Sequence, residues 1–226
     1  MRPRLVLFDI DQTLLYSGGA GLRALTRAFE ELTGVSNGFR TVTYAGKTDP
    51  QIVREALSLH NLPSDDPAVE RVIKRYLRYF PQEMAESHAE LKPGVPRILD
   101  LIQSSDGLSL GVLTGNVEPG ARIKLGRFNL NPYFTIGAFG SDCEDRNRLL
   151  PVAVERLKRG TGVTVRLEDC VIVGDTPLDV RCAHVYGARC IAVATGQYSA
   201  QELEEAGADL VLPDLSDGER AVSWIL

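Results

Sequence analysis

The stretch LVLFDIDQTLL, residues 5–15, is the part of the sequence that decides the fold. Its first four residues are apolar and turn-forming residues follow them, which predicts a strand that is buried on both faces. Two aspartates, Asp9 and Asp11, come at the end of that strand, and Thr13 follows. Because side chains alternate along an extended strand, both carboxylates can point into one crevice beyond its carboxyl end.

Two carboxylates this close together favour the binding of a cation between them. Without one, the two acids cannot both stay ionised at low free-energy cost. A hard ion that prefers oxygen ligands, such as Mg²⁺, suits this pair. The alternative interpretation is an acidic turn after a strand, because Asp and Thr are common turn and capping residues.

Composition limits the classes of function. The chain has 226 residues, of which 44% are apolar and 24% charged, enough for one large domain or for a core domain with an insertion. A formal net charge of −5 argues against binding to nucleic acid. No apolar run approaches the roughly 20 residues that span a bilayer, and we find no signal-peptide pattern. Together with cysteines that lack C-x-x-C spacing and scattered histidines, this predicts a soluble cytoplasmic protein without nucleic-acid or membrane partners.

Residues 17–90 have helical periodicity throughout and no convincing strand. One predicted helix ends at Gly34, a second begins near Asp49-Pro50, and a third covers about residues 69–80 until Pro81 ends or interrupts it. We therefore predict an all-helical domain at residues 17–90. The glycine-rich link at residues 17–21 lacks the spacing of a dinucleotide-binding loop, which favours a hinge or flap.

From residue 91 onward, predicted helices alternate with predicted strands. The strands fall at residues 108–113, 134–136, 170–173, 190–193 and 210–212. This alternation predicts an α/β fold with a doubly wound, Rossmann-like parallel sheet, formed by residues 1–16 and 91–226. In such a sheet, ligands bind at the carboxyl ends of the strands, where the strand order reverses.

Two further motifs follow predicted strands at that edge. Thr114-Gly115-Asn116 offers a hydroxyl and exposed backbone N–H groups to phosphate oxygens, although it can also be an ordinary start of a helix. Residues 174–179, GDTPLD, add Asp175 and Asp179. The alternative for this second motif is helix capping before Pro177, which is compatible with metal binding.

The three motifs, in this order and spacing, resemble the haloacid dehalogenase (HAD) superfamily of hydrolases, most closely its phosphoglycolate-phosphatase-like members with a helical (C1-type) cap. The resemblance implies that Asp9 is the nucleophile that forms an aspartyl-phosphate, and that Asp11 is the general acid and base. It also implies a Mg²⁺ ion held by Asp9, the backbone carbonyl of Asp11 and Asp175, with Asp179 in support. Thr114, Gly115 and Asn116 would then bind the phosphoryl group.

The chain departs from the pattern of this superfamily at two places. Gln12 stands where many relatives have glycine. Relatives also carry a lysine between the second and third motifs, but this chain has none between Lys124 and Lys158. We assign that role to Arg146, with Arg148 as the competitor, although either arginine can be a solvated surface residue. An arginine supplies the charge, but its planar group does not simply replace an ammonium.

The expected activity is hydrolysis of a small phosphorylated metabolite, with phosphoglycolate-like or sugar phosphates favoured. Asp11 favours phosphate transfer over dehalogenation, because halide needs no proton to leave. Lys47, in the predicted cap, can contact the substrate or lie in solvent beside a helix start. The alternatives are a sugar phosphomutase, a phosphonatase that uses Lys47 in a Schiff base, and a catalytically silent binding module. The sequence does not indicate an oligomeric state.

Overall fold

The computed structural model describes residues 2–226, which form eight strands and nine α-helices. The strands are β1 (Arg4–Phe8), β2 (Leu15–Tyr16), β3 (Glu90–Leu91), β4 (Leu108–Thr114), β5 (Ile136–Phe139), β6 (Cys170–Gly174), β7 (Arg189–Val193) and β8 (Leu210–Leu212). The helices are α1 (Ala20–Thr33), α2 (Asp49–Leu59), α3 (Asp66–Ala85), α4 (Val95–Gln103), α5 (Glu118–Gly126), α6 (Leu149–Thr161), α7 (Pro177–His184), α8 (Ala200–Glu205) and α9 (Gly218–Ile225).

Six of the strands form one parallel sheet in the order β5-β4-β1-β6-β7-β8. The central strand is β1, in which Leu7 is paired with Gly111 of β4 on one side and with Ile172 of β6 on the other. The chain moves outward from β1 through β4 and β5, then returns to β6 and moves outward in the opposite direction. The strand order therefore reverses beside β1, and the predicted α/β, doubly wound fold is confirmed.

Alternate residues of β1 are buried on opposite faces of the sheet. Val6 and Phe8 pack in the cluster that includes the apolar sides of α4, α5 and α9. Leu5 and Leu7 pack in the cluster that includes residues of α6 and α7. Helices on both faces explain why this strand is a continuous apolar run.

Helices α1, α2 and α3, which we call the cap, form a separate apolar cluster around Phe29, Val53, Tyr76 and Phe80. The rest of the described chain, which contains the six-stranded sheet, is called the sheet domain. The two chain segments that lead into and out of these helices pair as the antiparallel ribbon of β2 and β3. The predicted boundaries at residues 16/17 and 90/91 fall at this ribbon. No helix among residues 2–226 is long and apolar enough to cross a membrane.

Three details differ from the sequence-based expectations. The prediction that Pro81 ends or interrupts the third helix is wrong, because α3 continues to Ala85 with Phe80 and Met84 buried on either side of the proline. Packing of this helix against α1 outweighs the one backbone hydrogen bond that a proline removes. The strand expected at 134–136 lies at 136–139. Neither the ribbon nor α9 was predicted, since two-residue strands and short terminal helices have little periodicity.

Candidate active site

The turn after β1 is tight and directs two acids toward the reversal point of the sheet. Gln12 has a φ of 63°, in the left-handed region that favours glycine. Its backbone N–H donates to Leu15 O at 2.7 Å, and its carbonyl accepts a hydrogen bond from the Thr195 hydroxyl at 2.5 Å. The glutamine therefore keeps the conformation that glycine would adopt, and neighbouring contacts hold it there.

Asp9 shares a buried arginine with Asp179. The Arg146 guanidinium lies 3.1 Å from Asp9 Oδ1, and it also donates to Asp179 Oδ1. Burial raises the pKa of Asp9 to about 6; Arg146 opposes this rise, and the charges of Asp179 and Asp11 add to it. Of the two arginines considered from the sequence, Arg146 is buried at the acids and Arg148 is exposed.

Asp175 is buried and has no cation within salt-bridge distance among residues 2–226. Its Oδ1 accepts a hydrogen bond from the Thr13 hydroxyl at 3.2 Å. Burial, together with the nearby charges of Asp179 and Asp9, raises the pKa of Asp175 to about 9. This carboxyl group is therefore the one in the cluster that gains most from an added cation.

Asp179 is fully occupied by other groups. One of its oxygens accepts from Arg146, and the other accepts from the backbone N–H and the hydroxyl of Thr176 at 3.0 and 2.8 Å. The bond from the Thr176 N–H, together with the reciprocal bond from the Asp179 N–H to the Thr176 hydroxyl oxygen, forms a capping box at the start of α7. Position 174 needs a glycine, because a Cβ there would lie 2.1 Å from Asp179 Cγ.

The end of β4 places a hydroxyl and an amide beside Asp11. Asn116 Nδ2 donates to Asp11 Oδ2 and to the Thr114 hydroxyl, each at 2.8 Å. Gly115 between them allows the cap to approach closely, because a Cβ at this position would lie 2.0 Å from the carbonyl oxygen of Lys47. Thr114 and Asn116 are both buried.

Sequence reasoning did not identify Lys124 as a residue of this site. Its Nζ lies 2.8 and 2.6 Å from the two carboxylate oxygens of Asp11 and 2.6 Å from Asn116 Oδ1. The side chain is only 6% exposed. The signal for it was present, because Lys124 lies on the apolar side of α5 beside Ala121 and Leu125, where a charged residue is out of place.

The cap side of the site carries a lysine, a buried acid and a tyrosine. Lys47 Nζ pairs with Glu55 Oε2 at 2.5 Å. Asp49 Oδ2 accepts from the backbone N–H of Val117 at 2.9 Å, and burial raises the pKa of Asp49 to about 6. Tyr76 is also buried here, and burial raises the pKa of its phenol.

These groups surround one cavity of about 370 Å³ between the sheet edge and the cap. Apart from Asp179, every site residue predicted from the sequence lines it: Asp9, Asp11, Lys47, Thr114, Gly115, Asn116, Arg146 and Asp175. Leu22, Leu25 and Ile52 add an apolar wall from the cap. The cavity is large enough for a small metabolite.

The donor set fits a divalent cation. Four carboxylates, those of residues 9, 11, 175 and 179, face two cationic side chains, Arg146 and Lys124, so that two negative charges are left without a partner when all four ionise. Among residues 2–226, no three His, Cys, Asp or Glu side chains form a ready set of metal ligands. Mg²⁺ does not require such a set, because it usually keeps several waters and binds one or two carboxylates with substrate phosphate.

The fold and the site thus define a doubly wound α/β protein with a helical cap and an acid cluster at the edge of the sheet. The sequence profile of the family described as "Haloacid dehalogenase-like hydrolase" matches residues 6–193. The chain belongs to this family, and the resemblance noted from its three motifs is confirmed.

Comparisons with individual proteins agree with this membership. The chain is 28% identical to phosphoglycolate phosphatase 1 of Pseudomonas aeruginosa over 218 residues, covering 95% of this chain and 78% of that protein. It is also 28% identical to the phosphoglycolate phosphatase of Rhodospirillum rubrum over 222 residues, covering 95% and 88%. The crystal structure of CbbY from Rhodobacter sphaeroides in complex with phosphate has the same fold, with a TM-score of 0.74, 20% identity and 96% coverage of both chains.

Proposed function

We propose that this hydrolase is a Mg²⁺-dependent phosphomonoesterase that acts on a small phosphorylated metabolite in the cytoplasm. The observation that carries the proposal is the arrangement of two aspartates from one turn in a single cavity, each beside a different cation: Asp9 beside Arg146, which it shares with Asp179, and Asp11 beside Lys124. The two relatives are named as phosphoglycolate phosphatases, which supports a phosphatase and favours phosphoglycolate-like substrates. Sugar phosphates remain among the candidates.

The proposed metal ligands are Asp9, Asp175 and the backbone carbonyl of Asp11. Asp179 supports them by holding Arg146, since both of its oxygens are already occupied. A bound Mg²⁺ would neutralise charge on the phosphoryl oxygens and keep the nearby carboxylates ionised. The raised pKa of Asp175, about 9, supports this assignment because a cation would relieve the cost of its burial.

In the proposed first step, a carboxylate oxygen of Asp9 forms a bond to phosphorus while the bond from phosphorus to the leaving oxygen breaks. Asp11 in its protonated form gives its proton to that leaving oxygen, which departs as an alcohol. Arg146, the Thr114 hydroxyl and the N–H groups after β4 stabilise the negative charge on the transferring group. The products of this step are an aspartyl-phosphate on residue 9 and an ionised Asp11.

In the second step, Asp11 takes a proton from water as the water oxygen attacks phosphorus. The bond between phosphorus and the oxygen of Asp9 then breaks, so that inorganic phosphate leaves and the Asp9 carboxylate is restored. The apolar wall from the cap limits the entry of bulk water during both steps.

The test is phosphate release from p-nitrophenyl phosphate and from a panel of phosphorylated metabolites. We expect activity with Mg²⁺, loss of activity after EDTA treatment, and a decrease of more than about a thousandfold in D9N because the nucleophile is removed. Asp106→Asn, at an exposed position just before the amino end of β4 and so at the opposite end of that strand from the site, is the matched control and should keep full activity. Full activity of D9N would disprove the nucleophile assignment.

The alternatives have less support. A sugar phosphomutase would move phosphate to a second hydroxyl, and the two relatives are named as phosphatases, which does not favour it. A phosphonatase would need a free amine at Lys47, but that side chain is paired with Glu55. A silent binding module has no need of the complete acid cluster, and metal-dependent phosphate release would exclude it.

A further inference from the structure

Lys124 is a buried cation that takes no direct part in the two proposed steps of hydrolysis. Lysine is almost never fully buried unless it is paired, because removing an ammonium from water is costly. Here the compensation comes from two oxygens of Asp11 and one of Asn116, all within 2.8 Å of Nζ. No ion pair joins Lys124 to Asp9, whose partner is Arg146.

The contacts of Lys124 fix two groups at once. By contacting both oxygens of Asp11, Nζ restrains the rotation of this carboxyl group. By contacting Asn116 Oδ1, it directs the Asn116 amide nitrogen toward Asp11 and the Thr114 hydroxyl. Lys124 therefore links the proposed acid and base to the residues at the end of β4.

The cap encloses this lysine, although it belongs to the sheet domain. The Phe80 ring of α3 has its centroid 5.7 Å from Nζ, within the range of a cation–π contact. The Tyr76 hydroxyl lies against α5, since a Cβ added at Gly120 would be 3.2 Å from it. Asp49 adds a second carboxylate near the ammonium, and the charge of Lys124 opposes the rise in the pKa of Asp49.

From this geometry we propose that Lys124 is a positioning residue that holds Asp11 in place for proton transfer to the leaving oxygen. The inference rests on the proposed phosphatase function. The inference predicts that substitution of Lys124 slows phosphoryl transfer most for substrates whose leaving oxygen has to be protonated. An alkyl phosphate needs a proton on its leaving oxygen, whereas p-nitrophenolate leaves without one.

The experiment compares Lys124→Met with wild type on an alkyl phosphate and on p-nitrophenyl phosphate. We compare kcat/KM, which reports the steps up to formation of the aspartyl-phosphate, because hydrolysis of that intermediate is common to both substrates. We expect kcat/KM to decrease about a hundredfold on the alkyl substrate and less than about tenfold on the aryl substrate, with K124R restoring part of the loss. Lys158→Met, at an exposed lysine of α6, is the control and should change neither value. In a D11N background, K124M should have no further effect on the burst of p-nitrophenol.

Each outcome supports or overturns the inference. An equal decrease in kcat/KM on both substrates, or an additive effect in the D11N background, would show that Lys124 contributes only to structure. If circular dichroism shows that K124M is unfolded, the same ratio of rates is measured for K124Q. The two proposals fail differently. If wild type releases no phosphate, the phosphatase function itself is contradicted. If wild type is active and K124M loses the same factor on both substrates, only the role of Lys124 is contradicted.

Discussion

Asp9 and Asp11, just after β1, have distinct electrostatic environments although they are only two residues apart. Asp9 is buried against Arg146, while the Asp11 side chain is 40% exposed and pairs with Lys124. A buried carboxylate with a fixed cation suits attack on phosphorus, and a more accessible one suits the exchange of protons with water. The division of roles proposed for the two acids thus corresponds to a difference in their surroundings.

Asp49 gives a pH-dependent contribution to stability that can be tested. Its pKa is raised from 3.8 to about 6, mainly by burial and with a contribution from Asp11, whereas Lys124 and the N–H of Val117 lower it. Between these pH values the folded state binds more protons than the unfolded state, so stability decreases as pH rises. The full shift corresponds to about 3 kcal/mol above pH 6.

We expect Asp49→Asn to lack this decrease. Urea unfolding of wild type and D49N between pH 3.5 and 7.5, the range that brackets the shift, would measure the difference in their free energies of unfolding. The free energy of unfolding of D49N minus that of wild type should increase between about pH 4 and pH 6 and then become constant. A difference that does not vary with pH would mean that the Asp49 carboxyl is not destabilised by its burial.

The sequence was sufficient to predict the acids of the site but not the cation at Asp11. Asp9, Asp175 and Thr114 each follow an apolar strand, and the ends of parallel strands meet at one edge, so their proximity follows from the fold class. Lys124 reaches the site from within a helix, and its partner is more than 100 positions away in the chain. Pairing between a helix and a distant turn depends on three-dimensional packing, which periodicity does not describe.

At the scale of elements, the glycines before α1 determine how the chain enters the cap. Gly18 and Gly19 both have positive φ values, 61° and 75°, and Gly19 is the N-cap of α1. A Cβ at Gly18 would lie 3.0 Å from backbone atoms of His88, on the segment that returns from the cap. The two connecting segments therefore pass each other closely at this point, and the hinge at residues 17–21 stays a prediction.

Gly18→Ala and Gly34→Ala separate backbone strain from steric contact. Both positions have positive φ, but no atom lies within 4 Å of a Cβ at Gly34. We expect G34A to lower the free energy of unfolding by about 1 kcal/mol through strain alone, and G18A by about 2 kcal/mol or more. Urea unfolding at one pH measures both. Equal losses would indicate that the backbone of residue 88 moves freely to accept the methyl group.

At the scale of the whole molecule, polar contacts join the cap to the sheet domain on one side of the cavity. The Arg54 guanidinium of α2 contacts both carboxylate oxygens of Glu144 at 2.9–3.0 Å, and the Thr48 hydroxyl donates to Glu144 O at 2.8 Å. Asp49 N donates to Gly115 O at 2.7 Å beside them. These contacts hold residues 46–49 against the end of β4.

Glu144→Gln should weaken this connection and increase opening of the cap. We expect faster hydrogen exchange of backbone amides in residues 46–49 and 114–118, because an amide cannot replace the charged half of the pair with Arg54. Glu168→Gln, which removes the carboxylate of an exposed ion pair with Arg166, is the matched control. Unchanged exchange in both segments of E144Q would show that the other contacts are enough to keep the cap closed.

The position of β1 in the sheet has a consequence for synthesis on the ribosome. This strand lies between β4 and β6, and both partners are translated later, the second more than 160 residues later. A nascent chain therefore carries this apolar strand without neighbours while α1, α2 and α3 are being translated. Those helices pack mainly on one another, so they can form during translation. We infer that the cap is structured before β4 to β8 have been translated. Until β6 has been translated, β1 depends on protection from aggregation.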